Sequence, residues 1–223
     1  MINIFLLNTQ NLNISDIPYS ITRTFNSKKR GLEWKASRWL RDYVLSHYYD
    51  IPPEKLYFQT NTSGKPSLAN YDNLHFSISH SGNIVVIVLS EYQIGIDIQK
   101  IRNDKNNNIS NIIKKYYFEE ERNIIERSKD KIHMFYKFWV LKESLIKAKG
   151  ESLGIGLRKY GFIVKNSKID VIFNNSNFNF GCYQYEDYFF AITSIASQKK
   201  LKVREVTLNQ NSFVLNIRRL FYS

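Results

Sequence analysis

The sequence predicts an α+β fold of two similar halves in one chain, residues 1–93 and 94–223, with the functional site at their interface. The order strand, helix, strands occurs twice, the two long helical patterns being separated by strands. Proline and glycine fall where those helices must stop, at Ile51-Pro52-Pro53 and at Gly150. Hydrophobic residues make up 43% of the 223 and aromatics 15%, enough for a packed core.

The first strand pattern, Met1 to Asn8, has no basic region before its apolar run and no small-residue cleavage site, so it reads as a strand and not a signal peptide. Asn8 to Ser20 is polar. A helix is expected from Lys28 to Tyr48, with Leu32, Trp34, Ala36, Leu40, Tyr43, Val44 and Leu45 apolar and Arg30, Lys35, Arg38 and Arg41 interleaved. A strand at Leu56–Thr60 runs into the turn Asn61–Pro66. Leu74–Ser79 alternates, whereas Ile84–Leu89 is continuously apolar and so buried on both faces. Gly95–Gln99 is a further strand, and the polar stretch Lys100–Ser110 a mobile loop. A charged helical stretch, Lys114–Arg127, precedes a stronger helix at Lys131–Lys149. The remainder reads as strands at Tyr160–Val164, Ile169–Phe173, Asn179–Tyr185, Tyr188–Ser194, Leu201–Leu208 and Phe213–Ile217.

The 32 Lys+Arg against 20 Asp+Glu give a net charge of +12, so the partners are anions: nucleic acid, acidic protein, anionic membrane or a phosphorylated cofactor. A single cysteine, Cys182, excludes an intramolecular disulfide and a CxxC metal site and favours a reducing compartment. No apolar run approaches the roughly 20 residues of a membrane span. A cytoplasmic protein is expected.

Strand periodicity turns Ile94, Ile96 and Ile98 to the core and puts Gly95, Asp97 and Gln99 on the opposite face. Asp97 and Gln99 then present two oxygens to one point, and Gly95 lets a ligand approach the backbone. The alternative is an edge strand with ordinary polar residues. On the later helix, Glu143 and Lys147 are neighbours at i,i+4. They are either a surface ion pair or a hard oxygen ligand beside a phosphate contact. The Ser79-His80 pair reads as a turn whose N–H groups could form an anion nest. His47, His75 and His133 read as structural.

Taken in series, Gly64-Lys65-Pro66, Phe76-Ser77-Ile78-Ser79-His80-Ser81-Gly82, Gly95-Ile96-Asp97-Ile98 and the run from Trp139-Val140-Leu141-Lys142-Glu143-Ser144 to Gly150 resemble the 4′-phosphopantetheinyl transferases. The closer likeness is to the surfactin-synthetase-activating type, which has two similar halves in one chain. The resemblance implies Mg²⁺-dependent transfer of 4′-phosphopantetheine from coenzyme A to a serine of an apo acyl or peptidyl carrier protein, releasing adenosine 3′,5′-bisphosphate. It implies Asp97 and Glu143 as magnesium ligands. Gln99 stands where many members carry Glu, and its amide oxygen is a further, uncharged ligand candidate. Lys65 and Pro66, with Ser79 and His80, would hold the 3′-phosphate and adenosine, Lys147 the pyrophosphate, and Arg30 and Arg38 the nucleotide. Glu143 is the candidate general base. Glu121 is a second candidate carboxylate, its alternative being a solvated helix face. Carrier proteins are generally acidic, so a basic monomer would steer them, with a docking surface expected around Lys114–Arg127. No nucleic-acid or membrane partner is expected. Two alternatives stay open: coenzyme A binding without catalysis, and a basic nucleic-acid-binding module.

Overall fold

The computed structural model describes residues 2–20, 24–102, 109–165, 168–172, 177–195, 201–208, 212–214 and 218–222. The first half runs β1 (Ile2–Asn8), α1 (Lys28–Tyr48), β2 (Phe58–Thr60), β3 (Pro66–Leu68), β4 (His75–Ser81) and β5 (Ile84–Ser90). After β6 (Ile94–Lys100) come α2 (Ile109–Tyr116), α3 (Glu119–Arg127), α4 (Lys131–Lys149) and α5 (Leu153–Lys159). Strands β7 (Gly161–Lys165), β8 (Lys168–Ile172), β9 (Asn179–Tyr185), β10 (Tyr188–Ser194), β11 (Leu201–Val206), β12 (Ser212–Val214) and β13 (Arg218–Tyr222) complete the chain.

Local chemistry sets the two long helices. Ser27 Oγ accepts from Arg30 N at the start of α1, and Asp130 Oδ1 accepts from His133 N at the start of α4. Helix α4 ends at Gly150, whose φ of 66° is left-handed. The charged stretch expected as one helix is two, α2 and α3. Tyr117 breaks it by burying its ring and donating its hydroxyl to Phe135 O. Strand β3 and helix α5 are absent from the sequence reading, and two glycines within the seven residues of α5 hide it from helix propensity. Part of the expected mobile loop, residues 103–108, lies outside the described residues.

Of the two larger sheets, the first has the order β12-β11-β1-β5-β4 and the second β6-β10-β9-β13-β8-β7, while β2 and β3 pair as a separate two-stranded sheet. Strands β11 and β12 thus join the first sheet, with β11 parallel to β1, although they lie in the 94–223 half of the sequence division. Their pairing covers an edge that β1 would otherwise leave open. Sheet membership therefore crosses the division between residues 93 and 94.

Alternation along β1 builds two cores. Phe5 and Leu7 pack with Ala36, Leu40 and Val44 of α1, while Ile2, Ile4 and Leu6 join Ile94, Ile96 and Ile98 of β6 and Ile192 of β10. A third cluster gathers Phe138, Leu141 and Leu145 of α4 with Phe162, Phe180 and Phe189. Every residue of β5 is buried, as its continuous apolar run requires.

The two sheets meet at their edges, β4 and β6. Ser77, Ser79 and Ser81 offer their hydroxyls to the backbone N–H groups of Ile96, Ile98 and Lys100 at 3.2, 3.3 and 3.0 Å. Alternate serines thus satisfy the donors of an edge strand, so β6 is not the solvent-facing edge that the bland reading of its sequence allows.

Candidate active site

The face of β6 that carries Asp97 is covered by α4. A Cβ on Gly95 would lie 2.1 Å from Ser144 O and 2.3 Å from Ala148 N. Gly95 therefore lets helix and strand backbones touch, and the expectation that it admits a ligand is corrected. This approach lowers Glu143 and Lys147 onto Asp97.

Asp97 is 1% exposed. Its Oδ1 accepts from Ser79 Oγ at 2.8 Å and from Lys147 Nζ at 2.6 Å, and Lys147 Nζ also donates to Ser79 Oγ at 2.9 Å. Lys147 Nζ stands 3.9 Å from Glu143 Oε2. Burial, then the nearby Asp97 charge, pushes the Glu143 carboxyl up to about 8, against the pull of Lys147. The Asp97 charge raises the Glu143 carboxyl, and the Trp139 side chain opposes the rise. Two carboxyl groups served by one lysine, 2.6 Å from Asp97 and 3.9 Å from Glu143, leave room for further positive charge. This donor set fits a divalent cation. Among the described residues no group of three or more His, Cys, Asp or Glu converges, so the site is sparse.

Gln99 turns its amide nitrogen, not its oxygen, to this cluster. Nε2 donates to Asp97 Oδ2 at 3.1 Å, and Oε1 accepts from Ser81 Oγ at 3.4 Å. In this arrangement it steadies the carboxylate, whereas its sequence position suggested an oxygen ligand. Gln99→Glu removes a donor and sets a charge beside Asp97. The expected result is a lower unfolding temperature in EDTA together with tighter Mg²⁺ binding. A Mg²⁺ midpoint unchanged in calorimetry would place Gln99 outside the metal environment.

Ser79 and His80 lie inside β4, not in a turn, since the left-handed residue is Gly82. Ser79 faces Asp97 and is buried, while His80 faces the opposite side and is exposed. Desolvation holds the His80 imidazole below its ordinary pKa, although Glu33 Oε2, 3.8 Å from Nδ1, opposes this. His80, Arg30, Arg38 and Pro66 share one cavity of about 580 Å³, with Trp34 and Arg41 also in its walls. A hollow of about 250 Å³, lined by Lys65 and Lys147, has Gly64, Pro66 and Ile78 in common with it. Together they form a cleft that runs from the basic face of α1 to Lys147.

Lys65 Nζ donates to Ile94 O at 3.1 Å and Ala148 O at 2.8 Å, bridging the start of β6 and the end of α4. Burial pushes its ammonium down to about 8. It is a clamp across the halves as well as a cleft residue. Glu121 is far from the solvated face its charge run suggested. Its carboxylate is 0% exposed, paired with Lys142 Nζ at 2.8 Å and bonded by the N–H groups of Phe118 and Phe162. Its partners among the described residues are thus all parts of the scaffold.

Trp34 and Trp139 carry no site role in the sequence pattern, and the burial of Lys142 leaves no mark there. The i,i+4 spacing of Trp34 and Arg38 was the one available signal, because it places both on one face of α1.

A strand carboxylate and a helix carboxylate joined by lysine, beside a basic cleft, make a charged site of the class found in transferases that act on phosphorylated donors. The chain belongs to the 4′-phosphopantetheinyl transferase superfamily: residues 93–193 match the model of that name, and residues 19–92 match the model described as 4′-phosphopantetheinyl transferase, N-terminal. It is 34% identical over 120 residues to the 4′-phosphopantetheinyl transferase Sfp of Bacillus subtilis (strain 168), covering 52% of this chain and 51% of that one. The 4′-phosphopantetheinyl transferase gsp of Aneurinibacillus migulanus is 34% identical over 140 residues, 61% of this chain and 55% of the relative. The L-aminoadipate-semialdehyde dehydrogenase-phosphopantetheinyl transferase of Mus musculus is 32% identical over 148 residues, 61% and 48% respectively. The chain thus matches about half the length of these curated relatives. Among the described residues no helix is long and apolar enough to cross a membrane.

Proposed function

We propose that the protein transfers the 4′-phosphopantetheine group from coenzyme A to a serine hydroxyl of an apo carrier protein, with adenosine 3′,5′-bisphosphate as the other product. The observation that carries this reading is the continuity of the basic cleft with Lys147, whose ammonium touches Asp97. A coenzyme A molecule needs both features, cations for its nucleotide phosphates and a charged centre at the pyrophosphate.

Arg30, Arg38 and His80 bind the nucleotide end, and Lys147 meets the pyrophosphate. Asp97 and Glu143 would hold Mg²⁺. When bound, that ion supplies charge neutralisation of the pyrophosphate and of the departing bisphosphate. The serine oxygen forms its bond to the β-phosphorus as the bond to the bisphosphate oxygen breaks. Glu143 takes the serine proton, a contribution of about 10²–10⁴-fold for a positioned base. Ser79 and Gln99 fix the Asp97 carboxylate, so little reorganisation remains for the reaction. The +12 charge draws an acidic carrier, and cytoplasmic location and a monomeric state complete the reading.

Incubation with coenzyme A, Mg²⁺ and an apo carrier protein tests it by mass spectrometry of the carrier. A mass gain of one phosphopantetheine group is expected, and a carrier unmodified at saturating coenzyme A rejects the reading.

A further inference from the structure

We infer that Lys65 and Asn61 are positioning residues for the helix that carries Glu143 and Lys147: their turn straps the end of α4 to the start of β6 and so sets where those side chains meet Asp97. The assignment rests on the transferase reading above. It gives Lys65 a different task from the phosphate contact that the family resemblance implies. The Lys65 ammonium donates to Ile94 O of β6 and to Ala148 O of α4 at 3.1 and 2.8 Å. Asn61 Nδ2 donates to Gly150 O at 2.8 Å. The same side chain organises the turn, since its Oδ1 accepts from Ser63 N at 3.0 Å and from Lys65 N at 2.9 Å. A Cβ on Gly150 would lie 2.7 Å from Asn61 Nδ2 and 3.2 Å from Lys65 Cδ, so both side chains pack on the helix end.

The last carbonyls of a helix have no partner inside it, and a cation is favoured beside them. Ile146 O and Lys147 O are met by the N–H groups of Gly150 and Glu151. Ala148 O and Gly150 O are met instead by the turn, from residues 83 and 89 positions earlier. Lys65 therefore acts at the seam where the backbones of β6 and α4 touch: Ile94 O immediately precedes Gly95, whose Cβ position is 2.9 Å from Ala148 Cα. Lys147 precedes Ala148 in the chain, and its Nζ holds Asp97 Oδ1 at 2.6 Å. A shift of this helix end is thus a shift of Lys147 and, one turn earlier, of Glu143. An ammonium that already serves two backbone carbonyls has at most one N–H left for a phosphate.

Lys65→Met keeps the aliphatic stem and removes the ammonium. Carrier modification at saturating coenzyme A is expected to slow about 30-fold, the scale of a displaced reacting geometry. The affinity for adenosine 3′,5′-bisphosphate, by calorimetry in EDTA, should stay within about twofold, because ground-state binding is untouched. Asn61→Ala removes one bond at the exposed end of the strap and no cation. It should slow turnover about threefold to fivefold with the same unchanged affinity. In ligand-free protein, hydrogen exchange at the Gly150 and Glu151 amides, which close the end of α4, should quicken in both variants. Should Lys65→Met fail to fold, exchange and turnover of Asn61→Ala decide alone. A loss of bisphosphate affinity as large as the loss of turnover in Lys65→Met would make Lys65 a phosphate contact and overturn the inference, as would unchanged exchange and turnover in Asn61→Ala. The transferase reading survives either result. An unaltered protein that leaves the carrier unmodified at saturating coenzyme A overturns both.

Discussion

Glu143→Gln is expected to lower the rate of carrier modification by roughly 10³-fold, about 4 kcal/mol of transition-state stabilisation, with Asp97→Asn close behind. Both substitutions keep shape and some hydrogen bonding while removing charge. The loss therefore tests electrostatics and proton transfer, not packing. Stability should move the opposite way in metal-free protein. The Glu143 carboxyl is raised in the folded state from 4.5 to about 8. Between those values the folded protein holds a proton that the unfolded chain has released, so wild-type stability falls as pH rises through this window. Glu143→Gln has no such slope. In EDTA it should gain on the wild type progressively from pH 5 to pH 8.5, by on the order of 2 kcal/mol at the upper end. Saturating Mg²⁺ should reverse the order, because only the wild type retains both carboxylates. Denaturant titrations across pH, with and without Mg²⁺, measure this. A Glu143→Gln protein with transfer within tenfold of wild type would remove Glu143 from the chemistry.

The parts of this site that were legible in the sequence are those governed by local periodicity. Alternation in β6 separated Ile94, Ile96 and Ile98 from Asp97 and Gln99, and helical spacing paired Glu143 with Lys147. Both helix ends carried caps or breakers, so α1 and α4 have the expected bounds. What stayed hidden depends on partners distant in sequence. Gly95 reads the same whether a ligand or a helix backbone approaches it, and only the tertiary contact with Ser144 and Ala148 decides. The amide of Gln99 is ambiguous until Asp97 and Ser81 impose a donor on one side and an acceptor on the other. Glu121 sits in a run of charges that looks solvated, and its burial follows from a lysine 21 positions later. Returning strand β11 could not be assigned to the first sheet, because parallel pairing over such a separation leaves no local mark.

Lys142→Met is expected to cost about 3–5 kcal/mol of folding stability, the largest stability loss among the substitutions considered. Lys142 and Glu121 are both 0% exposed, and the ammonium also donates to Tyr160 O. Burial pushes Glu121 up and Lys142 down, and each charge offsets the other's desolvation. Removing only the lysine strands a carboxylate that still accepts from Phe118 N and Phe162 N. Removing both charges, as Glu121→Gln with Lys142→Met, should recover a substantial part of the loss, giving a coupling of at least about 2 kcal/mol in a double-mutant cycle. Additive losses would show that the pair is two separate polar contacts. The consequence for transfer follows from helix geometry. Lys142 anchors the underside of α4 to α3 and Tyr160, and the next residue, Glu143, faces Asp97. At a temperature where Lys142→Met is still folded, turnover should fall while the affinity for adenosine 3′,5′-bisphosphate holds, because in the proposed function the nucleotide end rests on α1, whereas the carboxylate pair depends on the seat of α4. An equal fall in both would mean that the buried pair supports the whole chain and not the catalytic helix in particular.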